Sequence, residues 1–172
     1  MTGASVKIDI TDEAILTALR RLEDADKTLV PGVLALAGEY GVESTRARIA
    51  QGVTPAGVAF APLNPAYAAV KRGPGILRES GQLSAELAWQ LIGADSVEWG
   101  SNLIRAAIHQ FGGTIEAKDG GSLAFMLGEA LIQVQSVTIP ARPFLGVNDA
   151  NQAEILNIAE DALGDLLGVG AA

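Results

Sequence analysis

His109 is the only histidine of the 172-residue chain, so a general base would be sought there first. A serine nucleophile would have to stand beside it, and Ser80, Ser84 and Ser122 are in no recognisable setting. The Gly-x-Ser-x-Gly turn that presents a nucleophilic serine is absent. A lone imidazole without cysteine or a His–Glu pair at ligand spacing cannot complete a zinc shell. Glu39 and Glu43, one helical turn apart, share a face. With no second pair and no histidine beside them, they read as solvated surface rather than a di-metal or hydrolytic pair. Gly73-Pro74-Gly75 and Asp119-Gly120-Gly121-Ser122 lack the Gly-Lys-Ser/Thr ending and the strand–loop–helix setting of a phosphate loop, and read as turns. No catalytic, metal-binding or cofactor-binding residue is assigned. His109 is expected to serve structure or an interface.

The composition sets the frame for that absence. Hydrophobic residues make up 49% of the chain and aromatic residues 5%, which predicts one domain over 1–172 with a core of aliphatic side chains. Twelve basic against twenty acidic residues give a net charge of −8. The basic footprint of a nucleic-acid binder is missing. Such a charge keeps a protein soluble, and it would also let DNA pass a wall without sticking. There is no cysteine, hence no disulfide or thiolate metal site. No apolar run approaches the ~20 residues of a membrane span, and residues 1–5 do not resemble a signal peptide. A soluble protein made in the cytoplasm is expected.

Periodicity supplies the elements. Val6, Ile8 and Ile10 alternate with polar residues as in a half-buried strand, and Thr11-Asp12 can cap a following helix. Helical spacing links Ile15, Leu19 and Leu22, then Leu29, Val33, Leu36 and Tyr40, as far as Gln51, with a kink or split expected at Pro31-Gly32. Residues 52–75 are dense in Pro and Gly and predict an irregular arm reaching toward a neighbouring subunit, with a short helix at Pro65–Val70. Leu83 to Leu91 alternate as a strand whose hairpin partner holds Val97-Glu98-Trp99. Trp89 and Trp99 lie in phase with apolar neighbours, which suits core packing, or an interface, where Trp is enriched.

Ser101-Asn102 can cap a helix carrying Leu103, Ala107 and Phe111 and closed by Gly112-Gly113. Leu123–Leu127 and Ala130–Val137 read as a hairpin turning at Gly128-Glu129 in type II′ geometry. Pro140 and Pro143 force residues 139–146 into an extended strap with Phe144 and Leu145 as apolar anchors. Arg142, fixed between the prolines, can meet a carboxylate of its own or the next subunit, or stand in solvent on an ordinary connector. Asn148 or Asp149 caps a last helix with the stripe Ile155, Ile158, Ala159, Ala162, Leu163 and Leu166, and 168–172 form a flexible tail. The fold class is α+β: an antiparallel sheet of hairpins against N- and C-terminal helices, with a long irregular arm.

Four segments together resemble the phage virion morphogenesis family, which includes the Mu-type virion morphogenesis and P2-type tail completion proteins. They are Phe60-Ala61-Pro62-Leu63, Ile76-Leu77-Arg78-Glu79-Ser80-Gly81-Gln82-Leu83, Trp99-Gly100-Ser101-Asn102 through Ala106-Ala107-Ile108-His109-Gln110-Phe111-Gly112-Gly113, and Ile139-Pro140-Ala141-Arg142-Pro143-Phe144-Leu145-Gly146. The chain departs from the pattern at Phe60, where Trp is common, and at Arg105, where an aromatic residue is expected. The resemblance implies a non-catalytic structural virion protein of the tail or neck, without cofactor, made in the host cytoplasm and acting in tail completion and head–tail joining. Its implied partners are copies of itself in a ring, for which six is the expected number, and other neck, connector or tail-tube proteins. DNA would pass the lumen without specific binding, and no membrane is involved. Phe60, Pro62, Leu63, Trp99, His109, Phe111, Arg142, Phe144 and Leu145 are the interface candidates. Two alternatives remain: a small enzyme with a polar pocket converging on His109, and an assembly chaperone absent from the finished particle.

Overall fold

A computed structural model describes the backbone of residues 13–168, with the side chains of residue 27 and of residues 29–168. The expected strand at Val6–Ile10, its Thr11-Asp12 cap, the side chains of Ile15, Leu19 and Leu22, and the tail beyond Gly168 lie outside the described residues. The elements are α1 (Glu13–Gln51), α2 (Pro65–Val70), α3 (Gln82–Ala85), β1 (Leu87–Ile92), β2 (Ser96–Ser101), α4 (Ile104–Phe111), β3 (Gly113–Glu116), β4 (Leu123–Leu127), β5 (Ala130–Val134), β6 (Ser136–Ile139) and α5 (Asp149–Leu167). The fold is α+β with antiparallel pairing throughout. Among the described residues the strands form three two-stranded ladders, however, rather than one sheet of hairpins.

Helix α1 runs through Pro31 without splitting. Its inward face also differs from the large-residue stripe that spacing predicts, for Leu36 is exposed. The buried face is Ala37, Gly38, Gly41, Val42, Thr45, Arg48 and Ile49. Small residues win there because the β1–β2 hairpin brings two tryptophans onto the helix. Trp89 and Trp99 are cross-strand partners, and each ring lies on a glycine. A Cβ at Gly38 would stand 2.7 Å from Trp89 Cδ2, and one at Gly41 would press still closer on Trp99. Large aromatic area is buried here by removing side chains from the helix, not by adding them.

The predicted strand from Leu83 to Leu91 is only half a strand. Residues 82–85 form the short helix α3, which sends Leu83 into the core. Alternation alone could not separate the two, because one helical turn and two strand residues both bury Leu83 and Leu87. The predicted strand Ala130–Val137 also divides. Residues 130–134 pair with β4 and residues 136–139 with β3, an element that the sequence reading missed. The Ala117 N–H donates to the Gln135 carbonyl at 2.8 Å, so the two ladders continue one ribbon, with residues 118–122 looped out on one side. At its tip Leu127 pairs with Ala130 and Gly128 takes φ 62° while Glu129 stays negative, as in a type II′ turn.

The core comprises Val42, Ile49, Phe60, Leu83, Leu87, Ala106 and Phe144, flanked by Ile76, Leu77, Trp89, Trp99, Leu103 and Leu145. Phe60 comes from the segment expected to be an exposed arm. That segment instead folds back through a Val53–Ala59 bridge and places its aromatic ring inside. Helix α2 within it has the predicted bounds, with Asn64 Oδ1 accepting from the Ala66 N–H at 2.9 Å. Helix α5 is capped by Asn148 in a reciprocal box with Asn151.

Replacing an interior helical glycine by alanine ordinarily stabilises by about 0.5–1 kcal/mol. At Gly38 and Gly41 the sign should reverse. Gly38→Ala and Gly41→Ala should each cost about 1–3 kcal/mol, because the methyl group overpacks an indole. Urea unfolding measures this, and stabilisation by either substitution would overturn the Trp–Gly packing.

Candidate functional site

The strap of residues 140–147 lies in no ladder, so its backbone polar groups must find partners elsewhere. Two long side chains and one backbone carbonyl supply them. Arg48, from the last turn of α1, donates to the carbonyls of Phe144 (3.3 Å) and Gly146 (2.8 Å) and to Asn151 Oδ1. Asn151 Nδ2 donates to the Tyr40 hydroxyl at 2.8 Å, returning to α1. Gln110, near the end of α4, is bidentate: its Oε1 accepts from the N–H groups of Phe144 and Leu145, and its Nε2 donates to the Leu145 carbonyl, all at 3.0 Å. The Arg142 N–H donates to the His109 carbonyl at 2.7 Å. Pro140 and Pro143 bring no N–H to satisfy.

Arg142 joins the strap to the 52–64 segment, donating to the carbonyls of Ala61 (2.7 Å) and Pro62 (2.8 Å). Asn148 Nδ2 donates to the Pro55 carbonyl at 2.8 Å. Gly112 passes directly under the strap; at φ 70° a Cβ there would lie 2.7 Å from Ala141 N. Three of the four segments carrying the sequence signature meet at this junction, and the second joins them through Leu83 in the shared core and the Gln82 amide that accepts from Arg105. Glu79, from the second of them, closes the 71–79 loop by accepting from Lys71 Nζ (2.6 Å) and the N–H groups of Arg72 and Gly73. These hydrogen bonds, Lys71's first, hold its carboxyl below the usual range.

The interface candidates divide accordingly. Phe144 (0% exposed) and Phe60 are core residues with no surface for a neighbour. Arg142 is buried and meets backbone carbonyls rather than the expected carboxylate, because its direction between two prolines aims it at the 61–62 peptide groups. Trp99 packs on α1, and Leu145 flanks the core. Pro62 is exposed and Leu63 half-buried. Phe111, expected on the inward face of α4, stands 77% exposed, and Ala106 takes the inward position. The helix begins after Leu103 rather than after a Ser101-Asn102 cap, since Ser101 still belongs to β2. Sequence reasoning missed Arg48, Gln110 and Asn151. The phase of Arg48 with Val42, Thr45 and Ile49 is the signal that could have found it.

A cavity of about 300 Å³ lies beside the junction, lined by residues that include Lys71, Glu79, Ser80, Arg105, His109 and Arg142. Its charged groups are hydrogen-bonded: Lys71 with Glu79, Arg142 with two backbone carbonyls, Arg105 with the Gln82 amide oxygen. No hydrogen bond joins His109 to Ser80 or Glu79 among the described residues, and His109 Nδ1 is buried without a partner. Desolvation, then the charges of Arg142 and Arg105, pull the imidazole below its ordinary value. The arrangement favours neutral imidazole and contains no nucleophile–base relay.

The fold is an α+β scaffold whose signature segments serve one internal junction. The profile of the phage virion morphogenesis family matches residues 10–164. The chain belongs to that family, and membership carries a part in building phage virions. Set against curated proteins and against solved structures, the chain finds no match.

Arg48→Ala strands two strap carbonyls and the Asn151 amide oxygen, and should cost about 3 kcal/mol. Arg48→Lys should recover only part of this, since an ammonium cannot reach all three acceptors in one plane. Denaturant unfolding checks both; a loss below about 0.5 kcal/mol for Arg48→Ala would exclude the junction role. His109 adds a pH test. Its folded value lies below the ordinary 6.5, so on acidification the unfolded chain takes up the proton first. Stability present above pH 6.5 should fall as pH drops through and below it. His109→Gln should flatten this part of the thermal stability profile, whereas an unchanged slope would assign it to other groups.

Proposed function

We propose that this chain is a structural virion subunit that completes the phage tail and joins it to the head, working as a closed ring of identical copies in the neck or at the tail end. The observation that carries the reading is the family match across residues 10–164. The surface supports assembly. Among the described residues eight hydrophobic ones are buried, while Ile104, Phe111, Val58, Met126, Leu131 and Leu156 are each more than half exposed. Exposed apolar side chains that lie together are candidates for cover by another protein. No helix of the described residues is long and apolar enough to cross a membrane, so a protein partner suits that area better than lipid.

In this reading the subunits contact connector or tail-tube proteins above and below the ring. Head-to-tail contacts that close by rotation give such a ring, and six copies are the expected number. The net charge of −8 suits a lumen through which DNA slides without specific binding.

Electron microscopy of the purified chain should show rings, and particles made without the chain should accumulate as separate heads and tails. Normally joined, infectious particles formed in its absence would overturn the proposed role.

A further inference from the structure

Helices α4 and α5 each present an exposed apolar pair at seven-residue spacing, with a charge of opposite sign beside it. On α4, Ile104 and Phe111 stand 97% and 77% exposed, seven residues apart, with the cationic Arg105 beside them. Arg105 meets the neutral Gln82 amide and no carboxylate among the described residues. A groove of about 620 Å³ lined by Leu103, Ile104, Arg105, Ile108 and Ile115 adjoins this face. On α5, Leu156 and Leu163 are exposed, also seven residues apart, and Glu160 is exposed between them. Glu160 makes no hydrogen bond or ion pair with the described residues. The helix carries Asp149, Glu154, Glu160, Asp161 and Asp165 and neither Lys nor Arg.

Seven residues span about 10.5 Å along a helix axis, so the two apolar pairs have the same spacing. A buried apolar contact flanked by one cation and one anion is the usual anatomy of a specific interface. We propose that α5 of one copy docks on the α4 face of the next, with Leu156 and Leu163 against Ile104, Phe111 and the groove, and Glu160 paired with Arg105. The occupant is a second copy of this chain because one copy carries both complementary faces. Charge also decides the symmetry. Helix α4 carries no carboxylate and α5 no Lys or Arg, so pairing two α4 faces or two α5 faces gathers charge of one sign without a counter-charge, and an isologous dimer through either is disfavoured. The α4–α5 contact is heterologous, and such contacts propagate until they close. The inference rests on the proposed ring and identifies its subunit contact.

Charge reversal of the full chain, followed by sedimentation velocity over a concentration series, tests it. Arg105→Glu alone and Glu160→Arg alone should each raise the half-assembly concentration about tenfold. The double variant should return to within about threefold of the unaltered protein. An equimolar mixture of the two single variants should also assemble, because each contact between unlike subunits regains an opposite-charge pair. Rescue in the mixture separates contact between copies from contact within one chain. Ile104→Ser should weaken assembly by a route independent of the Arg105–Gln82 hydrogen bond, and thermal unfolding verifies that each variant is folded. Rings that ignore all three single substitutions, or weakened rings that neither the double variant nor the mixture restores, would overturn the α4–α5 contact and leave the ring standing. An unaltered chain that stays monomeric, or assembles only with a different protein, would overturn both.

Discussion

The buried guanidinium of Arg48 is the contact on which the rest of the molecule depends. A charged group taken from water needs hydrogen bonds in every direction it can donate, and here they come from the strap carbonyls and the Asn151 amide. Burial pulls the group down from the ordinary guanidinium range, so the environment tolerates the charge only through those acceptors. In return the strap, which has no ladder of its own, is held to the end of the long helix. Gln110 binds it from the other side and Arg142 ties it to the 61–62 backbone. One extended segment thereby sets the positions of α1, α4, α5 and the Pro/Gly-rich loop.

Polar groups organise this interior because apolar burial is limited. The core gathers around Phe144, Phe60 and Ile49, and the tryptophans of β1 and β2 extend it across two helical glycines. Farther out, α4 and the β3–β6 ribbon carry much of their apolar area on the surface. A chain with this distribution gains stability when another protein covers that area, since binding the folded state shifts the folding equilibrium. In the proposed ring, assembly and subunit stability would be physically coupled.

The His109 cavity shows how a site-like collection of residues can serve structure. Histidine, arginines, lysine, serine and glutamate converge there, yet the charged groups are engaged in holding loops and strap. Desolvation and two nearby guanidinium groups favour neutral imidazole. Residue types alone report that these groups converge; the hydrogen bonds show which partner each of them holds.

Local sequence determined much of the architecture. The bounds of α2, the Asn148 cap of α5, the hairpin joining the Trp89 and Trp99 strands, the Gly128-Glu129 turn and the extended strap all follow from short-range preferences of Pro, Gly, Asn and alternating apolar residues. The family was legible too, from four segments whose order is informative even where each is short. Only the tertiary structure decided which faces are covered. It put Phe60 and Phe144 inside, turned Phe111 out, divided the 130–137 strand between two partners, and spent Arg142 on backbone carbonyls instead of a carboxylate. Those outcomes depend on residues dozens of positions apart, such as Arg48 with Phe144 or Gly41 with Trp99. Periodicity reports that a residue has a side facing inward; it carries no information about which distant group waits there.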